Sequence, residues 1–259
     1  MPNASSLALP NPQSYDTSSV GTVLDRVTGL VWQQAVDPGT YNWSASGAYC
    51  QALALGGHHD WRLPSMIELV SIVDLSQAEP AIRGDAFPST PSSPFWSAQL
   101  DVTNSGLGWY VYFKNGGAYG GNDVVDPQRV RCVRSPAAHT ASSYLVADAT
   151  VYDPNTKLTW QRTVEPSSYA WTDAQSRCAT VPPLGSWRLP SLNELMTLVD
   201  LTRFDPAVDA TAFPSTPIDF FWSLSVSVAP VGTAWGVNFN RGSAGASLTA
   251  NASRVRCVR

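Results

Sequence analysis

Charge is what this chain has least of. Only 14% of its 259 residues are Asp, Glu, Lys or Arg, well under the roughly 25% of an ordinary globular domain. The 16 Lys and Arg form no run and no helical stripe, and the net charge is −4. The electrostatic footprint of a nucleic-acid binder is therefore missing, and an anionic ligand is disfavoured. No apolar stretch reaches the roughly 18 residues of a membrane-spanning helix, so no membrane insertion is expected. Residues 1–20 are polar and Pro-containing, unlike a signal peptide, and read as an N-terminal tail.

Catalytic signatures are absent too: no Gly-x-Ser-x-Gly, no Gly-x-x-x-x-Gly-Lys and no His-Glu-x-x-His occurs. His58-His59 reads as a surface turn rather than a metal site, because the second half of the chain has Leu184-Gly185 in the matching places. Asn122, Asp123 and Asp126 offer oxygen ligands that suit Ca²⁺, yet they too lack counterparts, and solvated loop groups are the plainer reading. No metal or cofactor is expected. Cysteine is scarce: Cys50, Cys132, Cys178 and Cys257, with no zinc spacing. One pair in each half fits two intradomain disulfides best, with buried free thiols as the alternative. Each bridge would close a loop of about 80 residues, worth roughly 4 kcal/mol in the chain-entropy model, and would make the protein an exported one.

What the chain does have is a copy of itself. Val23–Gln33 aligns with Val151–Gln161, and Trp43 and Cys50 align with Trp171 and Cys178. Trp61-Arg-Leu-Pro-Ser65-x-x-Glu68-Leu69 repeats as Trp187-Arg-Leu-Pro-Ser191-x-x-Glu194-Leu195, and each runs on to Ala-Phe-Pro-Ser-Thr-Pro. Phe95-Trp96-Ser97, Trp109 and Arg129–Arg134 recur as Phe221-Trp222-Ser223, Trp235 and Arg254–Arg259. A period this long is a whole domain, not a solenoid unit. The reading is a tail (1–20), domain one (21–134), a linker (135–143) and domain two (144–259).

Within each copy, Val23–Asp25 with Leu30–Gln33, and Val151–Asp153 with Leu158–Gln161, predict a hairpin, and the closing Val130–Val133 predicts a strand that pairs with the opening one. Ser65-x-x-Glu68 and Ser191-x-x-Glu194 are capping boxes, in which Ser and Glu each satisfy an exposed backbone N–H. Two of the chain's four Glu are thereby structural rather than catalytic. Earlier helices are predicted from Ser44 to Leu55 and from Thr172 to Thr180, the latter with a Thr172-x-x-Gln175 box. The aligned Trp pairs read mostly as core, with Trp109 and Trp235 as the candidates for a ligand platform. Arg62/Arg188 and Arg131/Arg256 read as structural partners.

In combination, Trp-Arg-Leu-Pro-Ser-x-x-Glu-Leu, Phe-Trp-Ser, Trp-x-Val and the closing Arg-Val-Arg-Cys-Val-Arg resemble the bacterial family typified by the C-terminal domain of a Legionella collagen-like adhesin, over nearly the whole of both copies. The resemblance implies an α+β, C-type-lectin-like fold, with two helices, a small antiparallel sheet and long loops per domain. It implies secreted or cell-surface recognition of a protein or glycan ligand. The Trp-Asn-Asp run of calcium-dependent lectins is missing. Some relatives are variable proteins of diversity-generating retroelements, whose last stretch is hypermutated without yielding Lys, Glu, Gln or Met. The chain after Trp222 contains none of these, whereas copy one has Gln99, Lys114 and Gln128 there.

The expected function is thus ligand binding, not catalysis. Its surface is placed on the second copy's C-terminal loops: Ser225, Ser227, Thr233, Trp235, Asn238, Asn240, Arg241, Ser243, Ser247, Thr249 and Asn251. Two other readings compete: an oxidase of the formylglycine-generating type, which would need Cys132 or Cys257 as nucleophile, and a purely architectural repeat of a surface or phage assembly.

Overall fold

The structure, a computed structural model, describes residues 1–135, 143–182 and 186–259. The expected linker at 135–143, except for its two end residues, and Leu184-Gly185 lie outside these. The chain divides into two compact units, Met1–His139 and Thr140–Arg259. Each is an α+β arrangement of short helices and strands, and every strand pair within a unit is antiparallel.

Unit one opens with β1 (Tyr15–Asp16), β2 (Thr22–Asp25) and β3 (Val31–Gln33), followed by α1 (Trp43–Ala52) and α2 (Met66–Ser71). A meander of β4 (Pro94–Asp101), β5 (Asn104–Tyr112) and β6 (Gly117–Asp123) comes next, and β7 (Val133–Arg134) returns to pair with β3. Unit two repeats the plan with β8 (Leu145–Val146), β9 (Thr150–Asp153), β10 (Leu158–Gln161), α3 (Trp171–Ala179), α4 (Leu192–Met196), β11 (Phe220–Val226), β12 (Thr233–Asn238) and β13 (Ser243–Leu248). Its end closes through a Trp160–Val258 bridge. The expected pairing of opening and closing strands is present in both units.

Residues 1–20 pack on unit one. β1 pairs with β2, and the buried Gln13 amide donates to Val73 O at 2.9 Å. The Tyr15 ring stands edge-on to Phe87 at 5.2 Å, as Tyr144 does to Phe213 at 5.2 Å. Upstream of residue 21 the two copies still share a Ser-Tyr pair, Ser14-Tyr15 and Ser143-Tyr144.

Both capping boxes form, at Ser65/Glu68 and Ser191/Glu194. Each Glu is also gripped by the Arg of its own motif, Arg62 at 2.7 and 2.6 Å and Arg188 at 2.6 and 2.8 Å. Burial opposes the charge on Glu68, but Arg62 and the Ser65 amide outweigh it and hold the carboxyl below its ordinary range. The Thr172 box does not form. α3 starts one residue earlier, after Ala170, which offers no side-chain cap. Tertiary bonds set its start instead: Trp171 N donates to Thr249 O at 2.9 Å and its indole to Ser223 O at 2.8 Å. In unit one Asn42 supplies the missing cap, accepting from Ala45 N at 2.9 Å.

The loop preceding each meander is fastened by a buried cation. The Arg131 guanidinium donates to Gln33 O, Gln34 O and Thr90 Oγ1 at 2.6–2.7 Å and lies 4.8 Å above the Phe87 ring centroid. Arg256 repeats this with Gln161 O, Arg162 O, Thr216 Oγ1 and Phe213. Burial pulls both pKa values down to about 9, so both remain cations at neutral pH. The repeated Ala-Phe-Pro-Ser-Thr-Pro is thus the receptor for this arginine.

Candidate functional site

The scaffold absorbs much of the chemistry. Both disulfides are formed, Cys50–Cys132 and Cys178–Cys257. Eight of the ten Trp are buried. Asp123 Oδ1 accepts from Val125 N at 3.1 Å and so holds its own turn. Among the described residues, no three His, Cys, Asp or Glu side chains are grouped so as to hold a metal ion.

The residues singled out in the second copy separate into four places. Ser225, Thr233 and Trp235 are interior. Trp235 is 2% exposed, so it is core and not a platform. Ser225 Oγ accepts from Leu192 N at 3.0 Å, the bond that Gln99 Oε1 makes to Met66 N at 2.7 Å in unit one. Both satisfy the first free amide of a helix, which explains this difference between the copies without invoking recognition. Thr233 Oγ1 donates to Pro230 O at 2.7 Å.

Asn240 and Arg241 sit in the turn between β12 and β13. Asn240 Nδ2 donates to Asp205 Oδ1 at 2.6 Å, where unit one has Lys114 and Glu79 paired at 3.7 Å. This difference too is a local exchange of partners. Ser227 and Thr249 fasten the loop at the other end of the sheet, donating to Ala229 O and Gly232 O. Exposed aliphatics gather there: Val228 and Val231 in the loop, Val226 at the end of β11 and Leu248 at the end of β13.

Asn238, Ser243 and Ser247 lie on one face of the sheet. Side chains alternate along a strand, and the register sets Asn238 opposite Ser243, Gly236 opposite Gly245 and Ala234 opposite Ser247. Asn251 joins them, its amide donating to Ser247 Oγ at 3.0 Å. Phe220 fills the space over Gly236, whereas a side chain added at Gly245 would meet nothing within 4 Å. The result is a shallow, half-exposed trough floored by glycine and walled by Phe220. From Phe220 to Ser253, Arg241 is the only charged residue.

Sequence reasoning missed the corresponding face of unit one. There Tyr110 and Tyr119 oppose each other across β5 and β6, where unit two has Gly236 and Gly245. The signal lay in the same alignment, which sets Tyr110 and Tyr119 of copy one against glycine in copy two.

A family model described as the Lcl C-terminal domain matches residues 21–134 and, separately, residues 149–259. No curated protein matches the chain.

Proposed function

Because this chain belongs to the Lcl C-terminal domain family, as two tandem copies, we propose that it is a non-catalytic recognition protein of the adhesin kind. Its two modules carry a C-type-lectin-like scaffold, and unit two engages a protein or glycan ligand on the β12–β13 face. The observation that carries this reading is the trough itself: Asn238, Ser243, Ser247 and Asn251 present amides and hydroxyls on a rigid sheet, around an open glycine.

A non-catalytic role is supported by what the reactive groups are already doing. All four cysteines are buried in disulfides, leaving none to serve an oxidase, and Glu68 and Glu194 are held by arginine. Two disulfides favour an oxidising compartment, which supports secretion or display at the cell surface. Among the described residues, no helix is long and apolar enough to cross a membrane. The tail free of Lys, Glu, Gln and Met supports diversification of this face by a retroelement. Its genomic sign would be a near-copy of the coding DNA for the final stretch, differing at adenines.

The test uses Gly245→Arg with Ser247→Arg, which fill the open trough with long cations. Screened on protein and glycan arrays, the wild type binds and the variant does not, with unchanged circular dichroism. A folded variant that keeps every ligand would place binding elsewhere.

A further inference from the structure

Unit one carries a surface of a different chemistry at the same place in the fold. Tyr41, Trp43, Tyr49 and Tyr110 are all half-buried against the core cluster around Cys50, Trp61, Trp96 and Cys132. Tyr119 extends the row, its ring centroid 5.8 Å from that of Tyr110, while Tyr41 and Tyr49 lie 4.9 Å apart. Each ring is anchored on one side and partly open on the other.

The second copy reports which of these rings the fold needs. Tyr41 and Trp43 recur as Tyr169 and Trp171, but Tyr49, Tyr110 and Tyr119 give way to Arg177, Gly236 and Gly245. The register survives: Tyr110 pairs with Tyr119 as Gly236 pairs with Gly245. Tyr49 has a scaffold bond, accepting from Gln33 Nε2 at 2.9 Å, but Tyr110 and Tyr119 stand where the fold makes do with glycine in the second copy.

One further polar group lies on this face. Asn122 lies opposite Gly108 on this face, at the register position that Ser247 holds in unit two. Its Nδ2 is shielded from solvent and has no hydrogen-bond partner among the described residues. The charged side chains bordering the row are mostly acidic. Asp37 accepts the Tyr41 hydroxyl at 2.9 Å, and Asp123 and Asp126 stand in or beside the strand-to-loop segment whose Val124 O accepts from Trp43 N. Arg129, the neighbouring cation, is spent on the Pro38 and Gly39 carbonyls.

We propose that this aromatic face of unit one is a second binding site and that it takes a neutral saccharide chain. Ring faces held by packing suit the apolar faces of pyranose rings, phenol hydroxyls suit sugar hydroxyls, and the acidic border repels sulfated or uronic chains. The site is independent of the trough on unit two and stands whether or not that trough binds.

The test uses the full chain with cellohexaose, chitohexaose and a sulfated heparin hexasaccharide as probes, read by tryptophan fluorescence and calorimetry, alongside a peptide array. Tyr110→Gly with Tyr119→Gly installs residues that unit two tolerates, and single Tyr119→Gly is the milder control should the pair not fold. A neutral hexasaccharide binds the wild type, weakens at least about tenfold in the folded variants, and is unaffected by Gly245→Arg with Ser247→Arg. The proposal is overturned if neither neutral chain binds the wild type, if folded tyrosine variants bind as well as the wild type, or if the sulfated chain or a peptide is preferred.

Discussion

Ser225 Oγ accepts a hydrogen bond from the amide of Leu192 at 3.0 Å, and thereby does for α4 what Gln99 does for α2. A position that differs between two copies can still have one job. Ser225→Ala should therefore lower the stability of unit two by about 1 kcal/mol, the usual worth of a helix cap, and leave ligand binding untouched. Ser225→Gln should hold much of the stability. Chemical denaturation together with the array screen checks both. A loss of binding in a stable Ser225→Ala protein would restore this residue to the recognition surface.

Arg256 offers a larger effect. Removing its side chain takes the donor from the part-buried Gln161 and Arg162 carbonyls and from the buried Thr216 Oγ1. Arg256→Met is expected to cost about 3 kcal/mol or more, given roughly 1.5–3 for a hydrogen bond to a charged group. Arg131→Met should do the same to unit one. A urea titration resolving the two units measures this, and a cost below about 1 kcal/mol would mean that the cation is not what ties the Phe-Pro-Ser-Thr loop down.

Acid should loosen unit one through Glu68. Its folded pKa lies below the ordinary carboxylate value, so the stability it contributes is fully present above that value, about 4.3, and is lost as pH falls through the lower folded value. Glu68→Gln should be less stable than the wild type at neutral pH, with the gap closing in acid. Thermal melts at pH 7 and pH 3 test this. An equal gap at both would remove the ionised pair from the explanation.

Lys157 holds a left-handed backbone at φ 60°, where the first copy has Gly29 at φ 74°. Such a conformation strains a residue bearing a Cβ by roughly 1–2 kcal/mol, so Lys157→Gly should raise the melting temperature of unit two. A lower one would show that the lysine side chain contributes more than its backbone costs.

Reducing the disulfides should be costly in both units. The Cys50–Cys132 and Cys178–Cys257 bridges span 82 and 79 residues, and loops of that length are worth about 4 kcal/mol each by chain entropy. Denaturation with and without dithiothreitol measures it directly.

How far the sequence carried differed by residue. Ser65 with Glu68, and Ser191 with Glu194, were legible because a capping box is complete within four residues. Thr172 misled because α3 takes its start from Thr249 and Ser223, far away in the chain, and a distant carbonyl overrode a local propensity. The buried arginines were readable as structural, but their receptor at Thr90 or Thr216 was not. Within the candidate site, the alternation that puts Asn238, Ser243 and Ser247 on one face follows from strand register, which no pattern of small polar residues specifies. Ser225 was legible only as a mismatch with Gln99 and Trp235 only as a match to Trp109, and their burial came from the packing of α4 on β11 and β12.

The central claim is that unit two recognises its ligand on the β12–β13 face, and the most direct measurement is the affinity of the full chain for its best array ligand, with and without Gly245→Arg and Ser247→Arg. The trough predicts a loss of at least about tenfold, or some 1.4 kcal/mol, at unchanged melting temperature. An affinity equal to that of the wild type, in a variant that is fully folded, would contradict it.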